Sequence, residues 1–79
     1  MKVRVLFFGA TADAAGKREA QIEIDDGSDT ATAADLILEN YPSLKHHKLL
    51  FAVNEEYADP GHMILDGDEL AIFTPVSGG

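Results

Sequence analysis

Few residues in this sequence could do chemistry, and they point to the end of the chain. The last five read Pro75-Val76-Ser77-Gly78-Gly79, directly after a strand-like segment. Without side chains, Gly78 and Gly79 carry the carboxylate on a thin stalk that passes where a Cβ atom would clash. Pro75 fixes its own φ and pushes Thr74 toward an extended backbone, so the stalk leaves the strand straight. Five extended residues reach roughly 16–18 Å, long enough to enter a partner's buried site while the domain stays outside. The chemistry on offer is that of an acyl group, with the Gly79 carboxylate as the working atoms. The competing reading is an inert, frayed end, where glycine is common.

The other candidates are weaker. His46 and His47 are adjacent in a connector among lysines, not at the i, i+4 spacing of a metal-binding helix. His62 follows Pro60-Gly61 and reads as a loop residue. Ser77 has no His–acid partner in its sequence context. The glycines at 9, 16, 27, 61 and 67 are scattered turn formers without phosphate-cradle spacing. Asp66 and Asp68 bracket a turn glycine, but no twelve-residue calcium-loop pattern follows. Cysteine is absent, which excludes a thiolate nucleophile, a disulfide framework and a cysteine metal site. No metal site, no cofactor bound by this chain and no self-sufficient enzyme are expected.

Something must hold that carboxylate, and 79 residues allow one small domain. The start, Met1-Lys2-Val3-Arg4, has no apolar run of a signal peptide, and no stretch approaches a membrane span; the expected setting is the cytoplasm. Fourteen acids against six Lys and Arg give a net charge of −8. All six cations lie at or before Lys48, whereas Glu55, Glu56, Asp59, Asp66, Asp68 and Glu69 follow. Such a surface repels phosphates, so nucleic acid is a poor partner. It favours a basic protein surface, unless the acidity serves solubility alone.

Residues 2–8 alternate, with Val3, Val5 and Phe7 inward and Lys2, Arg4, Leu6 and Phe8 outward. Thr11 to Gly16 reads as a short helical turn with Thr11 as its N-cap. Residues 18–25 alternate again, which predicts an opening hairpin. After a turn-rich loop, Thr32-Ala33-Ala34-Asp35 resembles a capping box and predicts a helix to about Asn40, with Ala33, Leu36, Ile37 and Tyr41 as its buried stripe. Residues 43–48 read as a connector and 49–54 as a strand buried on both faces. The polar run 54–61 ends in a turn, and 62–65 is ambiguous. Asp66-Gly67-Asp68 is a turn, and 69–73 form the last strand with Leu70 and Ile72 inward.

Strand, strand, helix, strand, short element, strand predicts an α+β domain, one helix packed on a mixed sheet. The favoured arrangement is the β-grasp, or ubiquitin-like, fold over residues 1–74, with 75–79 as a flexible tail. In that fold the first and last strands run parallel in the middle of the sheet. Phe8 and Phe73 then emerge together beside the tail, with Tyr57 as a third member of an exposed aromatic patch, and such patches mark interfaces. Alternatively, the two phenylalanines cover each other or sit under a loop.

The stretch from Leu65 to Gly79, LDGDELAIFTPVSGG, resembles the C-terminus of the molybdopterin synthase small subunits, the MoaD-type sulfur carriers. Val5-Leu6-Phe7-Phe8 and Lys48-Leu49-Leu50-Phe51-Ala52-Val53-Asn54 are similar too, and length and element order agree throughout. Thr74 departs from the pattern, since members often carry a second proline there. The resemblance implies that Gly79 is adenylated by an E1-like partner using ATP and converted to a thiocarboxylate. It implies delivery of that sulfur, on the large subunit of a heterotetrameric synthase, to cyclic pyranopterin monophosphate in molybdenum cofactor biosynthesis. It implies that Phe8, Tyr57 and Phe73 pack against partners while Pro75, Val76, Ser77 and Gly78 form the threading tail. The alternatives are a thiamine-pathway sulfur carrier, a small archaeal-type protein modifier, and a non-catalytic ubiquitin-fold interaction module.

Overall fold

The computed structural model describes residues 1–75; Val76, Ser77, Gly78 and Gly79, and with them most of the expected tail, lie outside the described residues. Strand β1 (Lys2–Phe7) leads through helix α1 (Ala10–Ala15) to β2 (Glu19–Glu23). Helix α2 (Thr30–Asn40) and a 3-10 turn (Pro42–His46) follow, then β3 (Leu50–Val53), β4 (Glu56–Tyr57) and β5 (Glu69–Phe73). The sheet order is β2-β1-β5-β3-β4. β1 pairs antiparallel with β2 and parallel with β5, so the expected opening hairpin and the parallel central pair are both present.

Alternation explains the core. Val3, Val5 and Phe7 of β1, Ile22 of β2, and Leu70 and Ile72 of β5 face one way and are buried with Ala33 and Ile37 of α2. Period-two strands and a period-3.6 helix meet there face to stripe. Tyr41 is half-buried, its ring edge-on to Phe7 at 5.3 Å and 71°. Lys17 Nζ lies 5.6 Å from the Tyr41 ring centroid, within cation–π range.

Four local expectations are corrected. Thr11 is not the N-cap of α1; Gly9, with φ of 57°, occupies that position, and Thr11 is buried inside the first turn. The cap of α2 is Asp29, not Thr32: Asp29 Oδ1 accepts from the Thr32 N–H at 2.9 Å and the Thr32 hydroxyl at 2.8 Å. The helix therefore starts at Thr30, because the real cap sat in the stretch taken as loop. The connector at 43–48 begins inside the 3-10 turn and buries Leu44 completely. Residues 62–65 add a bridge between Asp29 and Met63 and bury Ile64. Tyr57 also lies in a strand rather than a loop. Asn54 (φ 50°) and Glu55 (φ 70°) both adopt left-handed backbone, the signature of a tight hairpin between β3 and β4. β3 itself buries Ala52 and Val53 and half-buries Leu50 and Phe51.

The Asp29 cap makes a pH prediction. Hydrogen bonds from Thr32, the backbone N–H foremost, hold the Asp29 carboxyl below its usual value. A depressed folded pKa adds stability that is complete above the unfolded value and lost as pH falls through the folded one. Asp29→Ala should therefore lower the melting temperature at pH 7, and that deficit should close as pH drops below about 4. Asp29→Asn, which still caps, should stay close to the parent at pH 7. Melting curves from pH 2 to 8 check this; a deficit that persists undiminished at the acid end would refute it.

Candidate functional site

Phe7 stands opposite Ile72 in the parallel β1–β5 pair. The ladder runs one bond further, from the Phe8 N–H to the Ile72 carbonyl at 3.1 Å. Phe8 is therefore level with Phe73. Because Phe7 and Ile72 face the core, alternation turns Phe8 and Phe73 to the face opposite α2. Phe8 is 51% exposed, which rules out its burial under a loop. Phe73 is half-buried and pairs across β3 with Leu50.

Tyr57 reaches the same face by register. It stands opposite Ala52, Ala52 opposite Ala71, and Ala71 opposite Leu6. The Tyr57 and Phe73 rings meet diagonally at 5.7 Å and 59°. The structure thus brings all three expected aromatics to one face. Leu6, Leu50, Ala52, Ala71 and Phe73 belong to that face and stand apart from the helix-side core. Sequence reasoning did not single out Leu50, Ala52 and Ala71, because their common face depends on which strand neighbours which.

The acidic residues lie elsewhere. β5 starts at Glu69 and β3 ends at Val53, so Asn54, Asp68 and Glu69 share the end of the sheet away from Phe73. There the carboxylates build turns. Asp66 Oδ1 accepts from the Lys2 N–H at 2.7 Å, Asp68 Oδ2 from the Leu65 N–H at 2.8 Å, and Asp68 Oδ1 from the Asn54 side-chain amide at 2.9 Å. On the open face Arg4 holds Glu19 at 2.7 Å and Glu69 at 3.7 Å. Glu19 bonds the guanidinium and raises its pKa further. The Phe8–Phe73 end is consequently apolar and aromatic, while the acidic charge acts on partners from the far end.

Pro75, exposed, follows two residues after β5. Its root is tied inside the domain by Thr11. The Thr11 hydroxyl lies 2.8 Å from the carbonyls of Ile72 and Phe8, and accepts from the Phe8 N–H at 2.9 Å. The side chain was expected to cap a helix; instead it joins the ends of β1 and β5. Among the described residues, no three or more His, Asp or Glu side chains are grouped to hold a metal ion. No helix among them is long and apolar enough to cross a membrane.

The family model described as "ThiS family" matches residues 5–79. This chain belongs to the ThiS family. It is 37% identical over 83 residues to the molybdopterin synthase sulfur carrier subunit of Caenorhabditis elegans, covering all of this chain and 99% of that protein. The fold is that of the crystal structure of small archaeal modifier protein 1 from Haloferax volcanii, at a TM-score of 0.89 and 28% identity over the whole of both chains. It also resembles, at a TM-score of 0.73 and 27% identity over the whole of both chains, a chain from the complex of subunits 1 and 2 of molybdopterin-converting factor from Helicobacter pylori. The β-grasp architecture and the molybdopterin synthase resemblance expected from sequence are both borne out.

Proposed function

We propose that this chain is the sulfur carrier subunit of a molybdopterin synthase and that the Gly79 carboxylate bears the sulfur. The observation that carries this reading is the end-to-end similarity to a named sulfur carrier, with the family match running through Gly79. An adenylating partner joins the carboxylate to the AMP of ATP and releases pyrophosphate, turning a poor electrophile into one with a good leaving group. A sulfur nucleophile attacks the acyl carbon, AMP leaves, and a thiocarboxylate remains. Glycine leaves that carbon open on both sides.

The carrier then docks on the large synthase subunit through Phe8, Tyr57 and Phe73 and threads the tail into the partner's site. Sulfur passes to cyclic pyranopterin monophosphate, and an oxygen from water restores the carboxylate. The Helicobacter pylori complex of two subunits supports a heteromeric partner of this kind. ATP belongs to the adenylating enzyme, and the proposed setting is the cytoplasm. The likeness to the archaeal modifier supports a second reading, in which Gly79 is joined to a lysine of a target protein.

Incubation with the adenylating enzyme, ATP and a sulfur donor tests the reading by intact mass. The expected result is the mass gain of sulfur replacing one oxygen, followed by transfer to the pterin. A conjugate to lysine instead would favour the modifier. Transfer to a thiazole precursor but not the pterin would favour a thiamine carrier. An unchanged mass under conditions that load a known carrier would leave an interaction module with an inert tail.

A further inference from the structure

We propose that Thr11 is a positioning residue for sulfur transfer: its buried hydroxyl fixes the root of the tail and so sets how the Gly79 acyl group is presented. The inference rests on the sulfur-carrier reading above. Thr11 has no exposed surface, and its methyl group alone would suit an apolar setting. Yet four polar contacts converge there. The Phe8 N–H donates to the hydroxyl at 2.9 Å, the hydroxyl lies 2.8 Å from the Phe8 and Ile72 carbonyls, and the Thr11 N–H reaches the Phe8 carbonyl at 3.2 Å. A hydroxyl has one proton to give, so it is shared between the two strand ends.

The place of that bond matters. Ile72 is followed by Phe73, Thr74 and Pro75, so its carbonyl sits at the last rung that β1 offers β5 before the tail departs. Beyond it only β3 holds β5, through Leu50 opposite Phe73. The same hydroxyl contacts the backbone of Phe8, so one group sets both the tail root and one wall of the aromatic face. Geometry amplifies small changes here. Over a reach of roughly 16–18 Å, a swing of about 3–4° at the root moves the far end by about 1 Å. A displacement of about 1 Å at reacting atoms can cost up to about 100-fold in rate.

The test compares the parent, Thr11→Val and Thr11→Ser, each loaded beforehand to the thiocarboxylate. Single-turnover sulfur transfer is measured against increasing large subunit, below every melting temperature. Valine removes the hydroxyl and keeps the shape; serine keeps the hydroxyl and removes the methyl. The expected result is a fall of about 10-fold in the saturating rate for valine, with half-saturation nearly unchanged and serine close to the parent. If valine transfers at the parent's saturating rate and only its melting temperature drops, Thr11 merely holds the fold and the proposal is overturned. Should the valine chain not fold, Thr11→Ala takes its place; alanine and serine equally slow would show that the methyl matters and overturn it too. A parent that never gains sulfur is a separate failure, visible before any variant is compared, and removes the carrier reading itself.

Discussion

Adding one alanine after Gly79 is expected to abolish sulfur loading while leaving the melting temperature unchanged. The extension converts the Gly79 carboxylate into a peptide carbonyl and moves the terminal carboxylate one residue further out, onto a carbon that bears a methyl group. Adenylation needs the carboxylate oxygen beside the nucleotide phosphate, and misplacement by a whole residue exceeds 3 Å. A loss of at least about 100-fold follows from positioning alone. The fold has no reason to respond, because β5 ends at Phe73 and Pro75 is already exposed. Intact mass after the loading reaction and a melting curve check both halves. An extended chain that loads sulfur as fast as the parent would show that the reaction does not read the chain end.

Phe73→Ala is the second large effect, and its contrast with Ile72→Ala gives it meaning. Phe73 faces away from α2, stands apart from the helix-side core and stacks at a tilt on Tyr57. Losing that ring pair costs roughly 0.5–1.5 kcal/mol of fold stability. An aromatic anchor at the centre of an interface is worth about 2 kcal/mol or more in binding, which is roughly 30-fold in Kd. Ile72, one residue earlier, is fully buried in the core, and its truncation should cost about 2–5 kcal/mol of stability. Phe73→Ala is therefore expected to weaken binding to the large subunit far more than it lowers the melting temperature, and Ile72→Ala to do the reverse. Titration calorimetry and thermal melts on both variants decide. A Phe73→Ala chain that melts early but binds like the parent would place Phe73 in the core.

Elements with a strong period were legible in the chain. Val3-Arg4-Val5 and Ala20-Gln21-Ile22 announce half-buried strands because only alternate residues need to be apolar on a one-sided sheet. Ala33 and Ile37 announce the helix stripe at a spacing of four. What escaped has little or no period. Leu44 and Ile64 are single apolar residues in polar stretches, and each is buried because the chain happens to cross the core's edge there. The β3–β4 turn uses Asn54-Glu55 in left-handed backbone, and glutamate is not a residue that announces such a turn. Asp29 looked like loop because Thr32, three residues later, offered a competing cap with its own acid.

The chain's own order of residues determined the domain's class, its strand faces and the glycine-terminated stalk, since these follow from local periodicity and from the absence of side chains. Tertiary structure alone decided what surrounds the stalk's root. Phe8, Tyr57 and Phe73 share a face because β1 and β5 are parallel neighbours and β4 folds back on β3. The acids of the second half gather at the opposite end, and the Thr11 hydroxyl reaches Ile72, 61 residues away. Such placements depend on strand order and register, which are settled by how non-local surfaces pack and leave no mark at any one position.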